Sequence, residues 1–154
     1  MKLESNIFIK RHKMKPIIFL LFFTYNLCLL AQNESMVGHY EMKFEASNGL
    51  IIYKLTLNPD RTFKFHSYRF LEDALTKEEN LYAKGTWNSD NKLIFFSTDS
   101  DDFDEIHTLD FNNTKARFIS KSPRNITNKD IKSSILIYHS EIFWLTKNNF
   151  LKIN

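Results

Sequence analysis

The 154-residue chain is short of the residues that build dedicated chemical sites. Its single cysteine, Cys28, lies in an apolar N-terminal run, so everything after it lacks both a thiol nucleophile and a disulfide. The three glycines, Gly38, Gly49 and Gly85, stand far apart and form no phosphate-cradling loop. No serine occupies a Gly-x-Ser-x-Gly elbow. Glycosidase-type chemistry needs one carboxyl group in an apolar pocket, and Glu41 is the only strand acid with aromatic neighbours. There is no linker, repeat or low-complexity tract, and helical periodicity is nearly absent after the first 31 residues. These absences point away from an enzyme, and no cofactor is expected.

What is present begins with a leader. Ile17 to Ala31 is an apolar run of about 15 residues, short of the roughly 20 that a spanning helix needs. Lys10, Arg11, Lys13 and Lys15 precede it, and a small residue, Ala31, followed by the polar Gln32-Asn33-Glu34-Ser35, closes it. Positive start, apolar middle and small-residue exit describe a secretory signal peptide over residues 1–31, with Met14 as an alternative start and Gln32 as the first mature residue. Cys28 reads as one more apolar residue of that run, because Tyr25-Asn26-Leu27 before it lacks the small residues of a lipidation site. The expectation is an exported protein, periplasmic or extracellular, with no stable membrane span after cleavage.

Removing the leader also removes the basic charge. Residues 1–31 hold Lys2, Lys10, Arg11, Lys13 and Lys15 against Glu4, so a chain of net charge +3 leaves a mature part of −1. A nucleic-acid partner, which needs a basic footprint on the folded domain, is therefore not expected. Residues 32–154 suffice for one hydrophobic core and one domain. The richness in Phe, Ile, Lys and Asn is of the kind found in bacteria with AT-rich genomes.

That domain reads as strands. Val37–Phe44, Leu50–Leu57, Thr62–Phe70, Leu81–Trp87, Lys92–Thr98, Glu105–Phe111, Lys115–Ser120, Ser134–His139, Glu141–Leu145 and Phe150–Ile153 are apolar or alternating runs at close spacing. Asn48-Gly49 predicts a type I′ hairpin turn, Asn58-Pro59-Asp60-Arg61 a second turn and Lys147-Asn148-Asn149 a third. Lys92–Thr98 is apolar on both faces and reads as covered on both sides. The charged stretch 71–80 is the one place for a short helix or long loop. Eight to ten short antiparallel strands joined by tight turns predict an all-β fold, a small up-and-down β-barrel with the signal helix outside it, the alternative being a sandwich or open sheet.

The segments "YKLTLNPDRTFKFHSYRF" and "YAKGTWNSDNKLIFFS" resemble the core pattern of small exported bacterial lipocalin-like domains, through Leu55, Leu57, Asp60, Thr62, Phe63, Gly85, Trp87 and Leu93. The likeness covers about residues 36–98. It implies the architecture of a small barrel. Arg61 stands where that pattern has a turn glycine, so a non-glycine residue is expected in the left-handed conformation.

Tyr40, Tyr53, Phe63, Phe65, Trp87 and Phe95 are the candidate interior, ligand-lining residues, with Phe118, Tyr138 and Trp144 also expected inward. A barrel of about eight strands holds either its own side chains or one small ligand. The functional expectation is a non-enzymatic protein that binds a small apolar ligand or a cell-envelope component. The alternative is a protein–protein module, inhibitor or immunity-type, acting through loops 71–80 and 99–105. Asp99, Asp101, Asp102, Asp104 and Glu105 read as a soluble charged loop, lacking the glycine and glutamate of a calcium-binding hand. His39, His66, His107 and His139 fall on separate expected strands without metal-ligand spacing, so no metal site is expected.

Overall fold

The computed structural model describes residues 36–120 and 132–153. Segment 1–31, expected to be a signal peptide, lies outside the described residues. Eight antiparallel strands close into a barrel in simple sequential order. They are β1 (Gly38–Ala46), β2 (Gly49–Leu57), β3 (Thr62–Leu71), β4 (Glu78–Asp90), β5 (Leu93–Ser97), β6 (Lys115–Ile119), β7 (Ser134–His139) and β8 (Asn149–Lys152). β8 closes the ring by pairing with β1 through Tyr40 opposite Lys152 and Glu41 opposite Leu151. Among the described residues no helix is long and apolar enough to cross a membrane.

The alternation that predicted the strands is the alternation that fills the barrel. Tyr53, Leu55 and Leu57 on β2, Phe63 and Phe65 on β3, and Ala83 and Trp87 on β4 are all buried, while the residues between them point out. Each inward residue meets an inward residue of the next strand: Leu55 faces Phe65, which faces Ala83. Cross-strand pairs of this kind stabilise a sheet on top of area burial.

The first hairpin turns one residue earlier than Asn48-Gly49 would place it. Ala46 pairs with Gly49, so Ser47-Asn48 is the two-residue connection. Gly49 serves proximity instead: a Cβ there would sit 2.7 Å from Leu71 Cδ2 and 3.0 Å from the Phe70 carbonyl. At the second turn the expectation holds, with Arg61 at φ 68°. Asn58, whose amide donates to the Thr62 carbonyl at 2.9 Å, and Asp60, whose carboxylate accepts from the Thr62 amide and hydroxyl at 2.9 and 2.6 Å, clamp that conformation.

Two expected strands are loops. Glu105–Phe111 forms no ladder beyond an isolated bridge between Tyr82 and His107. Asp104 captures the amides of Ile106 and His107, and the single Tyr82 carbonyl takes those of both Thr108 and Leu109, so these amides do not form a regular ladder. Glu141–Leu145 contains a 3-10 turn, Phe143–Leu145, in which the Leu145 amide returns to the Ile142 carbonyl. Stretch 71–80 is a loop only as far as Lys77. From Glu78 onward its charged residues extend β4 along β3, and Arg69 and Glu79 form a 3.0 Å ion pair.

Candidate functional site

The interior was the expected site, and five of its six named residues do point there. Tyr40, Tyr53, Phe63, Phe65 and Trp87 are buried. Phe95 is a correction: it lies on the outer surface, 36% exposed. Pairing decides its side. Trp87 faces inward and stands opposite Phe96, so Phe96 shares the interior and Phe95 shares the outer face with Asn88. β5 therefore alternates and is not covered on both sides. Tyr138 is a second correction, 42% exposed. Lys115 pairs with His139 and Ala116 with Ile137, which leaves Tyr138 as the extra residue of a bulge that turns its ring outward. Phe118 is buried as expected, and Trp144 packs half-buried against the core.

The interior rings touch one another in series. Phe96 lies 5.0 Å from Phe63, Phe63 5.1 Å from Phe111, and Phe111 5.0 Å from Phe65, centroid to centroid. Phe65 continues to Tyr53 at 6.0 Å, and Tyr53 to Trp144 at 5.1 Å and Phe150 at 6.3 Å. Spacings of 4.5–7 Å are those of rings in direct contact. Phe111 and Trp144 come from connections, not strands: the loop after β5 and the turn before β8 each insert a ring into the barrel. Sequence reading missed Phe111 as a plug because it was assigned to a strand. Leu145, also fully buried, arrives the same way.

At the rim, Tyr40 donates its hydroxyl to the Met36 carbonyl at 2.5 Å, and burial pushes its phenol above the usual range. Burial likewise raises Tyr53. The Trp87 indole donates to the Asn58 carbonyl at 3.2 Å. The tips of Tyr40 and Trp87 are satisfied by backbone carbonyls, and among the described residues no buried side-chain donor or acceptor lacks a partner.

The acidic loop is a self-contained clasp. Asp104 takes hydrogen bonds from the amides of His107 at 2.8 Å and Ile106 at 2.9 Å and from the Lys84 ammonium at 2.9 Å, and His107 Nδ1 lies 2.9 Å from both of its oxygens. The His107 amide first, then Lys84 and the Ile106 amide, hold its carboxyl well below the usual carboxylate range. Asp102 accepts from the Asp99 amide, and Asp110 from the Thr98 hydroxyl and the Asn112 amide. Among the described residues no three acid, histidine or cysteine side chains are grouped to hold a metal. His66 stacks on Tyr82 at 4.5 Å and His107 meets the same ring edge-on at 6.2 Å.

Outside, Leu75 and Phe103 are exposed on the two loops expected to meet a partner, and Phe44, Ile106 and Phe143 lie exposed at the same end of the barrel. A second exposed apolar group, Phe95, Ile119, Tyr138 and Leu151, sits on the outer face of β5–β8 beside a groove of about 300 Å³ lined by Arg117, Leu136 and Tyr138. No family model, no curated protein and no solved structure matches the chain.

Proposed function

We propose that this chain is an exported, non-enzymatic bacterial protein of lipocalin-like build that works as a protein–protein interaction module. The observation that carries the reading is the continuous series of touching rings from Phe96 to Phe150. An interior occupied by its own side chains leaves a small apolar ligand no aromatic wall to line, which weighs against the ligand reading. Large apolar side chains held in water are the commonest mark of a recognition surface. Leu75 and Phe103, on loops 71–80 and 99–105, are such residues. Export rests on the leader 1–31, and the bacterial origin on composition.

Native mass spectrometry of the full chain, purified from the envelope fraction of its own host, tests this. The expected spectrum contains a bound polypeptide and an N-terminus at Gln32. A retained small molecule with no polypeptide, or a bare monomer, overturns it.

A further inference from the structure

The outward rows of the two halves of the barrel differ in degree. Across β1–β4 His39–Thr56–Lys64–Lys84 and Glu41–Lys54–His66–Tyr82 are polar nearly throughout, and Lys43–Ile52–Tyr68–Asn80 and Glu45–Leu50–Phe70–Glu78 hold apolar side chains only on β2 and β3, between charged or amide residues. Across β5–β8 they read Leu93–Arg117–Leu136–Asn149 and Phe95–Lys115–His139, with Ile119 and Leu151 exposed on either side of the buried Ser134. Phe95 and the bulged Tyr138 flank the first of these rows. An antiparallel sheet with one solvated face ordinarily carries polar residues there. Arg117 stands in the middle of the apolar half. It is exposed and makes no ion pair or hydrogen bond among the described residues, whereas Arg61, Arg69 and Lys84 each have a partner. With Leu136 and Tyr138 it lines the 300 Å³ groove.

Resting on the partner-binding reading, we propose that the outer face of β5–β8 docks an acidic protein segment that places a carboxylate on Arg117 between apolar side chains. A guanidinium on an apolar bed is weakly hydrated and offers a planar fork that fits a carboxylate with two parallel hydrogen bonds. Arginine and tyrosine beside aliphatic residues is the make-up of the energetic centre of protein interfaces. A polyanion such as nucleic acid or an anionic membrane surface calls for a series of cations. Here two cations, Arg117 and Lys115 two residues before it on β6, stand among Leu93, Phe95, Leu136 and Tyr138, too few for a polyanion and suited to one or two carboxylates with apolar neighbours.

The test is an amide-resolved NMR titration of the full chain, purified after export. The probes are two dodecapeptides, one alternating glutamate with leucine and one alternating lysine with leucine. The expected result is that only the acidic peptide shifts the amides of Phe95, Arg117, Ile119, Leu136 and Tyr138. Arg117→Glu, an exposed change that leaves the remaining spectrum in place, weakens that binding by about tenfold or more, and Arg117→Gln falls between. No shift at millimolar peptide overturns the proposal, as does tighter binding of anionic phospholipid vesicles to the same face. Shifts confined to loops 72–77 and 99–109, indifferent to Arg117→Glu, overturn it while leaving the partner reading intact. If dodecanoate shifts Phe63, Phe65 and Phe111 and neither peptide binds, the partner reading fails as well.

Discussion

The guanidinium carbon of Arg61 lies 4.7 Å above the Trp87 ring. A residue in a left-handed conformation on the β2–β3 turn is thereby tied to the core tryptophan of β4, whose amide donates to the Arg61 carbonyl at 2.8 Å. The strain and the contact belong together. The left-handed backbone costs about 1 kcal/mol for a non-glycine residue, and a cation over an indole face returns about 0.5–1 kcal/mol at such a site.

Arg61→Gly should therefore be close to neutral, because relief of strain offsets the lost stacking. Arg61→Ala keeps the strain and loses the contact, and should cost about 0.5–1 kcal/mol. Urea denaturation of the two variants checks the order, and equal midpoints would show that the turn is unstrained.

Phe95 and Phe96 are adjacent in sequence and opposite in environment. Phe96→Ala opens a hole against Phe63 and Phe111 and should cost about 3–5 kcal/mol. Phe95→Ala, on the outer face, should cost less than about 1 kcal/mol. Thermal unfolding of both decides the orientation of β5, and the reverse order would mean that the register is shifted by one residue.

Gly85 and Gly49 differ in what surrounds them. A Cβ on Gly85 would run into the Ser97 carbonyl oxygen and lie 2.9 Å from the Phe63 ring, both held by the barrel. A Cβ on Gly49 would first meet the tip of Leu71, which can move. Gly85→Ala is expected to lose about 3 kcal/mol, and Gly49→Ala nearer 1 kcal/mol. Their denaturation midpoints, compared with wild type, give the answer.

Asp104 supplies a pH dependence. Its hydrogen bonds lower its carboxyl in the folded chain, so their contribution is complete above the unfolded carboxylate value of about 4 and is lost as pH falls from there through the lower folded value. At pH 7, Asp104→Asn should speed hydrogen exchange at the Ile106 and His107 amides. The difference should shrink progressively below about pH 4 and still be partly present at pH 3, where the folded carboxyl remains largely ionised. A difference that persists undiminished in acid would assign the loop's order to something other than this carboxylate.

Much of the barrel was legible in the chain, and the reasons are local. Period-two alternation over Leu50–Leu57 and Thr62–Phe70 reports a half-buried strand wherever its neighbours lie, and Asn58-Pro59-Asp60-Arg61 closes on hydrogen bonds within five residues. The misread elements depend on partners far away in sequence. Glu105–Phe111 has the look of a strand, yet the Tyr82 carbonyl and the Asp104 carboxylate take its amides and its phenylalanine becomes a plug. Nothing in the sequence around Arg117 shows what surrounds it. Its apolar setting comes from β5 and β7, which bring Leu93 and Leu136 to either side.

By itself the sequence determined that this chain is a ladder of short hairpins, because alternation, turn residues and the lack of helical spacing act over a few residues. Which of Phe95 and Phe96 faces in, why Gly49 must be small, and what fills the interior were decided only by closure of the barrel. Each of those depends on the register of a neighbouring strand, and a shift of one residue exchanges inside for outside without altering any local preference.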